Sequence, residues 1–334
     1  MTVAAPSIDG QRFVAWLPTA IHPAALHLAH ELFDVIDSND PRSDKWYETA
    51  HAAIVTSGKL SKEHVERANH LRIVTRNGVG TDSVPLDTCR QKSIVVTNQP
   101  GCNAQAVAEI ALGLAIAVRR KLCQIDRTLR SGQKTISADW RAQTVQGQTV
   151  GLIGMGDIAR ETAKKFIGAF ECPILVYSPT SSKDKWTASD PSRLAPIAHR
   201  RVDTLEELLQ MADIVSLHCP KNDETTGLIG ARQFELMKKS AVILNTARGG
   251  LIDEQALVQA IKNGEIGGAG IDTLEHEPPT LERYRELLTL DQVVVLPHVG
   301  AQDETSQRQA CLVAVESAYS YLTGHGIGQS TRVV

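Results

Sequence analysis

Three side chains in the second half of this 334-residue chain are of the types needed to move a proton and steady a charge at a carbonyl group. Arg248 lies in Asn245-Thr246-Ala247-Arg248-Gly249-Gly250, Glu277 in Glu275-His276-Glu277-Pro278-Pro279, and His298 in Leu296-Pro297-His298-Val299-Gly300. A guanidinium holds a carboxylate in a planar fork and polarises a nearby carbonyl. A histidine carries a proton near neutral pH, and a carboxylate beside it favours the protonated form. The trio suits the moment when a ketone becomes an alkoxide under attack by a hydride donor. Each residue also has a plainer reading: Arg248 as a surface arginine in a Gly-rich turn, Glu277 as an exposed loop acid, His298 as a strand cap. His218 reads equally well as a core histidine, and His276 stands as an alternative proton carrier beside Glu277.

A hydride donor needs its own site. In Thr149 to Ala159, T-V-G-L-I-G-M-G-D-I-A, an apolar run meets Gly154-Met155-Gly156, and a helix-compatible stretch follows. Gly154 allows a tight turn, Gly156 lets backbone approach a pyrophosphate, and Ala159 takes the third position, which serves helix–strand packing. A second Gly-rich stretch, Asn77-Gly78-Val79-Gly80-Thr81-Asp82, reads as a loop whose N–H groups hold an anion, or as a plain turn.

Short apolar runs must place these residues. Strands are predicted near 13–17, 33–36, 52–56, 71–75, 93–96, 149–153, 174–177, 214–217, 241–244, 266–271 and 293–296, with helical patterns between most of them. Ser57 or Ser61 is placed to cap the helix over 61–68, and Thr204 with Glu207 fits a capping box. Asn103 to Leu129 is the longest helical pattern, apolar on several faces and suited to burial between domains or subunits. Glu304 to Leu322 is the last helix. Alternating strands and helices imply an α/β chain of two Rossmann-like domains with parallel sheets and a ligand cleft between them. Residues 1–104 with 298–334 are expected to form the substrate domain, and 105–297 the dinucleotide-binding domain. At the carboxyl ends of such strands lie Arg248, Glu277 and His298.

In order and spacing, five stretches resemble the D-isomer-specific 2-hydroxyacid dehydrogenases: Asn77 to Asp82, Pro100 to Glu109, Val150 to Ala159, Asn245 to Asp272 with Glu277-Pro278, and Pro297 to Gly300. The resemblance implies a reversible reduction of a 2-oxo acid to a D-2-hydroxy acid by NAD(P)H, with His298 as acid and base, Glu277 as its partner and Arg248 on the substrate. It places the substrate carboxylate on Gly78, Val79 and Gly80, and selectivity on the loop with Ser57 and Lys59. It places the dinucleotide on Gly154, Met155, Gly156, Asp157, Ile158, Ser178, Thr180, Lys183, Cys219, Pro220, Thr246, Ala247, Asp272 and Val107, with Asp272 next to the nicotinamide. It further implies a homodimer built around the nucleotide domains. A corepressor-like, NAD(H)-sensing binding protein of the same fold is the alternative, and the absence of basic or motif-rich extensions counts against it.

An acid after the second strand of a dinucleotide domain normally binds the ribose hydroxyls. Here Ile174-Leu175-Val176-Tyr177 leads into Ser178-Pro179-Thr180-Ser181-Ser182-Lys183. Ser178 in place of an acid, with Lys183 or Lys185 as a cation, favours NADP(H) over NAD(H), which remains usable. Thr56 stands where phosphoglycerate dehydrogenases tend to carry an arginine, and the chain lacks the extra C-terminal regulatory domain of some of those enzymes; both features point to other 2-oxo acids. Trp46 and Tyr47 belong to the substrate pocket or to the core.

Composition narrows the rest. The formal net charge of -3 gives no basic nucleic-acid surface, and His199-Arg200-Arg201 reads as a solvated loop. Six cysteines without metal-ligand spacing argue against a zinc site and suit a reducing compartment, hence a cytoplasmic setting. The first ten residues lack the pattern of a secretory signal, and no apolar run reaches membrane-span length.

Overall fold

Apolar runs of three or four residues become strands where a sheet can be covered on both faces. The computed structural model describes residues 12–56, 58–192 and 194–334 and divides them between two compact units. The first begins with β1 (Val14–Trp16), α1 (Pro23–Leu32), β2 (Asp34–Ile36), β3 (Ala52–Val55), α2 (Lys62–Arg67), β4 (Ile73–Arg76), α3 (Leu86–Gln91) and β5 (Val95–Asn98). All four residues of β3 are buried, as a central parallel strand requires. The Ser61 hydroxyl accepts the His64 N–H and caps α2, whereas Ser57 lies outside the described residues. Trp46 and Tyr47 are core residues: Trp46 stacks on Trp16 with ring centroids 4.3 Å apart and meets Tyr47 edge-on.

The second unit runs through α4 (Ala104–Arg119), α5 (Leu122–Arg130), β6 (Val150–Ile153), α6 (Asp157–Phe170), β7 (Ile174–Tyr177) and β8 (Arg200–Arg201). It continues with α7 (Leu205–Met211), β9 (Ile214–Leu217), α8 (Ala231–Leu236), β10 (Val242–Asn245), α9 (Glu254–Lys262), β11 (Gly268–Ile271), α10 (Leu281–Leu288) and β12 (Val293–Val295). The order β12-β11-β10-β9-β6-β7-β8 is that of a doubly wound dinucleotide sheet with one added strand, all parallel, and it reverses direction at β6. Thr204 caps α7 through the Glu207 N–H.

The helix expected over 103–129 is two helices. Lys121 adopts a left-handed backbone with φ 57°, which ends α4 and redirects the chain into α5. The burial pattern explains the break. Ala108, Ala111, Leu114 and Ala115 of α4 are buried, and Gly270 gives Leu114 room against β11, while α5 buries none of its residues.

The chain then returns to the first unit as α11 (Glu304–Leu322), which packs on α1 and β4, and β13 (Thr331–Arg332), antiparallel to β5. That sheet has the order β13-β5-β4-β3-β1-β2, the other common doubly wound arrangement with one antiparallel edge strand. The units comprise residues up to Asn103 with Gln302–Val334, and Ala104–Ala301. The boundary expected after 297 therefore falls after 301, because residues 298–300 are hydrogen-bonded to Asp272 of the second unit. Among the described residues no helix is long and apolar enough to cross a membrane.

The Trp16–Trp46 stack fixes the core on one face of the first sheet. Trp46→Ala is expected to destabilise this unit by about 3–5 kcal/mol, read as a lowered midpoint in urea unfolding.

Candidate functional site

β10, β11 and β12 are neighbours in register, with Asn245 opposite Ile271 and Ile271 opposite Val295. Three carboxyl ends thus open side by side, and the turns beyond them carry Arg248, then Asp272 and Glu277, then His298. The sheet brings two of these residues into contact: His298 Nδ1 lies 2.8 Å from Glu277 Oε2. The other Glu277 oxygen accepts the Leu274 N–H at 3.2 Å. Burial pushes the Glu277 carboxyl up, but the hydrogen bond and charge of His298, the Leu274 N–H and the Arg248 charge outweigh it and leave the group below the ordinary glutamate range. An ionised carboxylate only accepts, so Nδ1 of His298 is the donor and Nε2 faces away from Glu277. Both side chains keep part of their surface open, 45% for His298 and 33% for Glu277, so the pair is reachable by a ligand.

Arg248 lies close enough for its charge to act on Glu277, and its Nη1 donates to the Ala247 carbonyl at 2.7 Å. The turn holding it depends on Asn245, which the sequence reading passed over as a flanking residue. Asn245 Oδ1 accepts the Ala247 N–H, and its Nδ2 donates to the Arg248 carbonyl at 2.8 Å. Gly249 is obligatory there, since a Cβ would overlap the Leu274 carbonyl. An Asn closing a turn three residues ahead of an Arg was the available signal.

Asp272 ties the loop after β12 to the end of β11. Its two side-chain oxygens accept the Val299 and Gly300 N–H groups, both at 2.8 Å, and its carbonyl accepts the His298 N–H at 2.8 Å. His298 itself has φ 59°, a backbone that few non-glycine residues adopt, and these three bonds hold it there. Val107 packs beside Gly300. The backbone N–H of His276 donates to the Tyr284 hydroxyl at 2.9 Å. His218 is half-buried, its Nε2 2.9 Å from the Ser216 hydroxyl, and burial of the ring pushes the imidazole down to about 3, so it is neutral.

The turn after β6 fits a dinucleotide. An added Cβ at Gly154 would stand 2.5 Å from the His218 carbonyl oxygen, so only glycine allows this approach. Gly156 opens onto free space and caps α6 with no side-chain bond, leaving the first N–H groups of the helix, Asp157 and Ile158 among them, for an anion. Met155 turns its side chain into the core. Cys219 flanks Gly154, its thiol pushed up to about 11 by burial, and Pro220 accepts from the Thr225 hydroxyl. Thr246 Oγ1 is buried with no partner among the described residues.

At the end of β7, the Ser178 and Ser181 hydroxyls bond each other at 2.8 Å, and Thr180 and Lys183 are exposed. The basic cluster beyond is not a solvated loop. Arg200 and Arg201 form β8, and Arg201 donates to the carbonyls of Ser178, Ser181 and Ser182. Parallel pairing with β7 draws this arginine in, and its two-residue strand is too short to read from periodicity.

In the first unit, the carbonyls of Gly78 and Val79 accept from the Gln99 N–H and Asn98 Nδ2, and Gly78 has φ 105°. Arg76 grips the carbonyls of Thr56 and Asn77. Lys59 is exposed, and Ser57 is outside the described residues.

Residues 112–300 match the family model "D-isomer specific 2-hydroxyacid dehydrogenase, NAD binding domain". A hydroxypyruvate reductase of Thermotoga maritima is 36% identical over 264 residues, covering 79% of this chain and 82% of that protein. A D-3-phosphoglycerate dehydrogenase of Archaeoglobus fulgidus is 36% identical over 266 residues, covering 80% of this chain and 48% of that protein. The chain spans about half the length of the phosphoglycerate dehydrogenases it matches. Among solved structures, the NADPH-dependent glyoxylate/hydroxypyruvate reductase of Sinorhizobium meliloti, in complex with NADP and malonate, superposes with a TM-score of 0.82 at 26% identity, covering 96% of this chain and 97% of that one.

Since Asp272 is buried and accepts two N–H groups, Asp272→Asn turns an amide donor toward one of them. The expected cost is about 1–3 kcal/mol, measured as a drop in thermal midpoint, while Asp303→Asn at the exposed cap of α11 costs less.

Proposed function

The chain belongs to the D-isomer-specific 2-hydroxyacid dehydrogenase family, and from that premise we propose that it reduces a small 2-oxo acid to the D-2-hydroxy acid, reversibly, with a nicotinamide dinucleotide. The observation that carries this reading is the His298–Glu277 hydrogen bond at the ends of adjoining strands. When bound, the reduced nicotinamide supplies the hydride that C2 of the acid receives. Arg248 holds the substrate and opposes the charge growing on the C2 oxygen. His298 gives that oxygen its proton from Nε2 and, in the oxidative direction, takes it back. Glu277 holds the ring by Nδ1 and offsets the imidazolium charge. The carboxylate end of the substrate falls to the N–H groups of Gly78, Val79 and Gly80, and Lys59 lies on the loop that selects the rest of it.

NADP(H) is the favoured cofactor, with NAD(H) usable. The support is the serine at 178, where an acid would repel a 2′-phosphate, and the exposed Thr180 and Lys183 beside it. The Sinorhizobium reductase, described as NADPH-dependent, agrees with this preference. Substrates of the glyoxylate and hydroxypyruvate size suit a chain with no arginine at 56. The six unbonded cysteines suit a cytoplasmic setting.

We infer a homodimer through the second unit; the support is α5, which buries none of its residues and leaves Leu122 and Leu129 exposed, the latter 57%. Leu129→Glu is expected to shift the mass in solution to that of one chain, read by light scattering; an unchanged mass places the interface elsewhere.

Assaying glyoxylate, hydroxypyruvate and larger 2-oxo acids with NADPH and NADH tests the activity directly. Tight nucleotide binding with no turnover across that panel would favour a dinucleotide-sensing binding protein instead. His298→Ala is expected to keep nucleotide affinity and lower turnover by about 10²–10⁴-fold, and near-normal turnover would remove His298 from its role.

A further inference from the structure

Arg201 reads in the sequence as part of a solvated loop, yet its guanidinium organises the segment that follows β7. Nη2 donates to the carbonyls of Ser178 at 2.7 Å and Ser181 at 3.2 Å, and Nη1 donates to the Ser182 carbonyl at 2.7 Å. Nη1 also lies 3.6 Å from the sulfur of Met155, the residue between the two glycines of the phosphate turn. One planar cation therefore ties the phosphate turn to three carbonyl groups of the β7 loop. With those carbonyls drawn to the arginine, the Ser178 and Ser181 hydroxyls are left bonded to one another.

The rest of the segment is built rather than loose. Trp186 is buried and meets His199 edge-on at 5.6 Å, Asp190 accepts the Trp186 N–H at 2.7 Å, and Arg160 holds the Ala195 carbonyl. Within residues 178–185 the one acid, Asp184, is flanked in sequence by Lys183 and Lys185, and Arg201 adds a cation held on the serine carbonyls.

We propose that Arg201 is a positioning residue for cofactor choice: by gripping the carbonyls of Ser178, Ser181 and Ser182 it presents the two hydroxyls, in a positive field, to a phosphate on the adenosine 2′-oxygen. The proposal rests on the dinucleotide reading above. Adjacent hydroxyls backed by a cation bind a phosphomonoester more strongly than a hydroxyl.

Calorimetric binding of 2′,5′-ADP and of ADP to the full chain, without substrate or turnover, tests it. The wild-type protein is expected to bind 2′,5′-ADP at least about tenfold more tightly, a difference of about 1.4 kcal/mol. Arg201→Met is expected to remove most of that ratio while changing ADP affinity little, and Arg201→Lys to restore only part of it. Equal weakening of both ligands in Arg201→Met would make Arg201 a general support for the loop and overturn the proposal, as would a wild-type preference for ADP. Failure of the wild type to bind either nucleotide would overturn the dinucleotide reading as well, which separates the two.

Discussion

One buried side chain, Asp272 at the end of β11, receives two consecutive backbone N–H groups from the loop that follows β12. Its main-chain carbonyl receives a third, from His298. The geometry of the histidine depends on this arrangement. A residue with φ 59° is held against its own preference, and the bonds to Asp272 are what hold it. With the ring so placed, Nδ1 meets Glu277, and Nε2 becomes the nitrogen open to chemistry. A parallel sheet makes this possible because it ends neighbouring strands on the same side, so residues distant in sequence arrive together without long connections.

The division of labour in the second unit follows from the same sheet. β6 lies where strand order reverses; the turn beyond it carries the phosphate glycines, and β10, β11 and β12 carry the polar residues on one flank. Ser178 and Arg201 stand on the other flank, at β7 and β8. The first unit solves a different problem with the other doubly wound order, and its positive-φ glycine at 78 closes a loop whose carbonyls are already satisfied.

Placement was legible in the sequence where residue type and context agreed. Glu277 and His298 stand in Pro-containing turns and meet in the fold, and Gly154 and Gly156 stand between a strand and a helix. Positioning residues were less legible. Asn245 reads only as a flanking residue of the Arg248 turn, and its two bonds to Ala247 and Arg248 depend on a backbone path that spacing does not reveal. The resemblance puts Asp272 next to the nicotinamide, and it does not reveal that the side chain accepts N–H groups 27 and 28 residues on. Arg201 was lost because three basic residues in a row resemble solvated surface, and only pairing with β7 draws one of them in. The break at Lys121 was hidden for the opposite reason: apolar spacing continues across it at Leu122, Ile125 and Leu129, and a single left-handed residue leaves no periodic trace.

The indoles of this chain divide evenly, Trp16 and Trp46 in the first unit and Trp140 and Trp186 in the second. The first pair is stacked and shielded, so its emission reports that unit's core. Trp140 is only partly covered, whereas Trp186 is sealed in the segment that runs from Ser178 to Arg201. Intrinsic fluorescence therefore contains a built-in local probe: energy transfer or quenching seen at Trp186 registers events in that segment without any attached dye. With Trp186 replaced by phenylalanine, the signal that disappears is the part belonging to it.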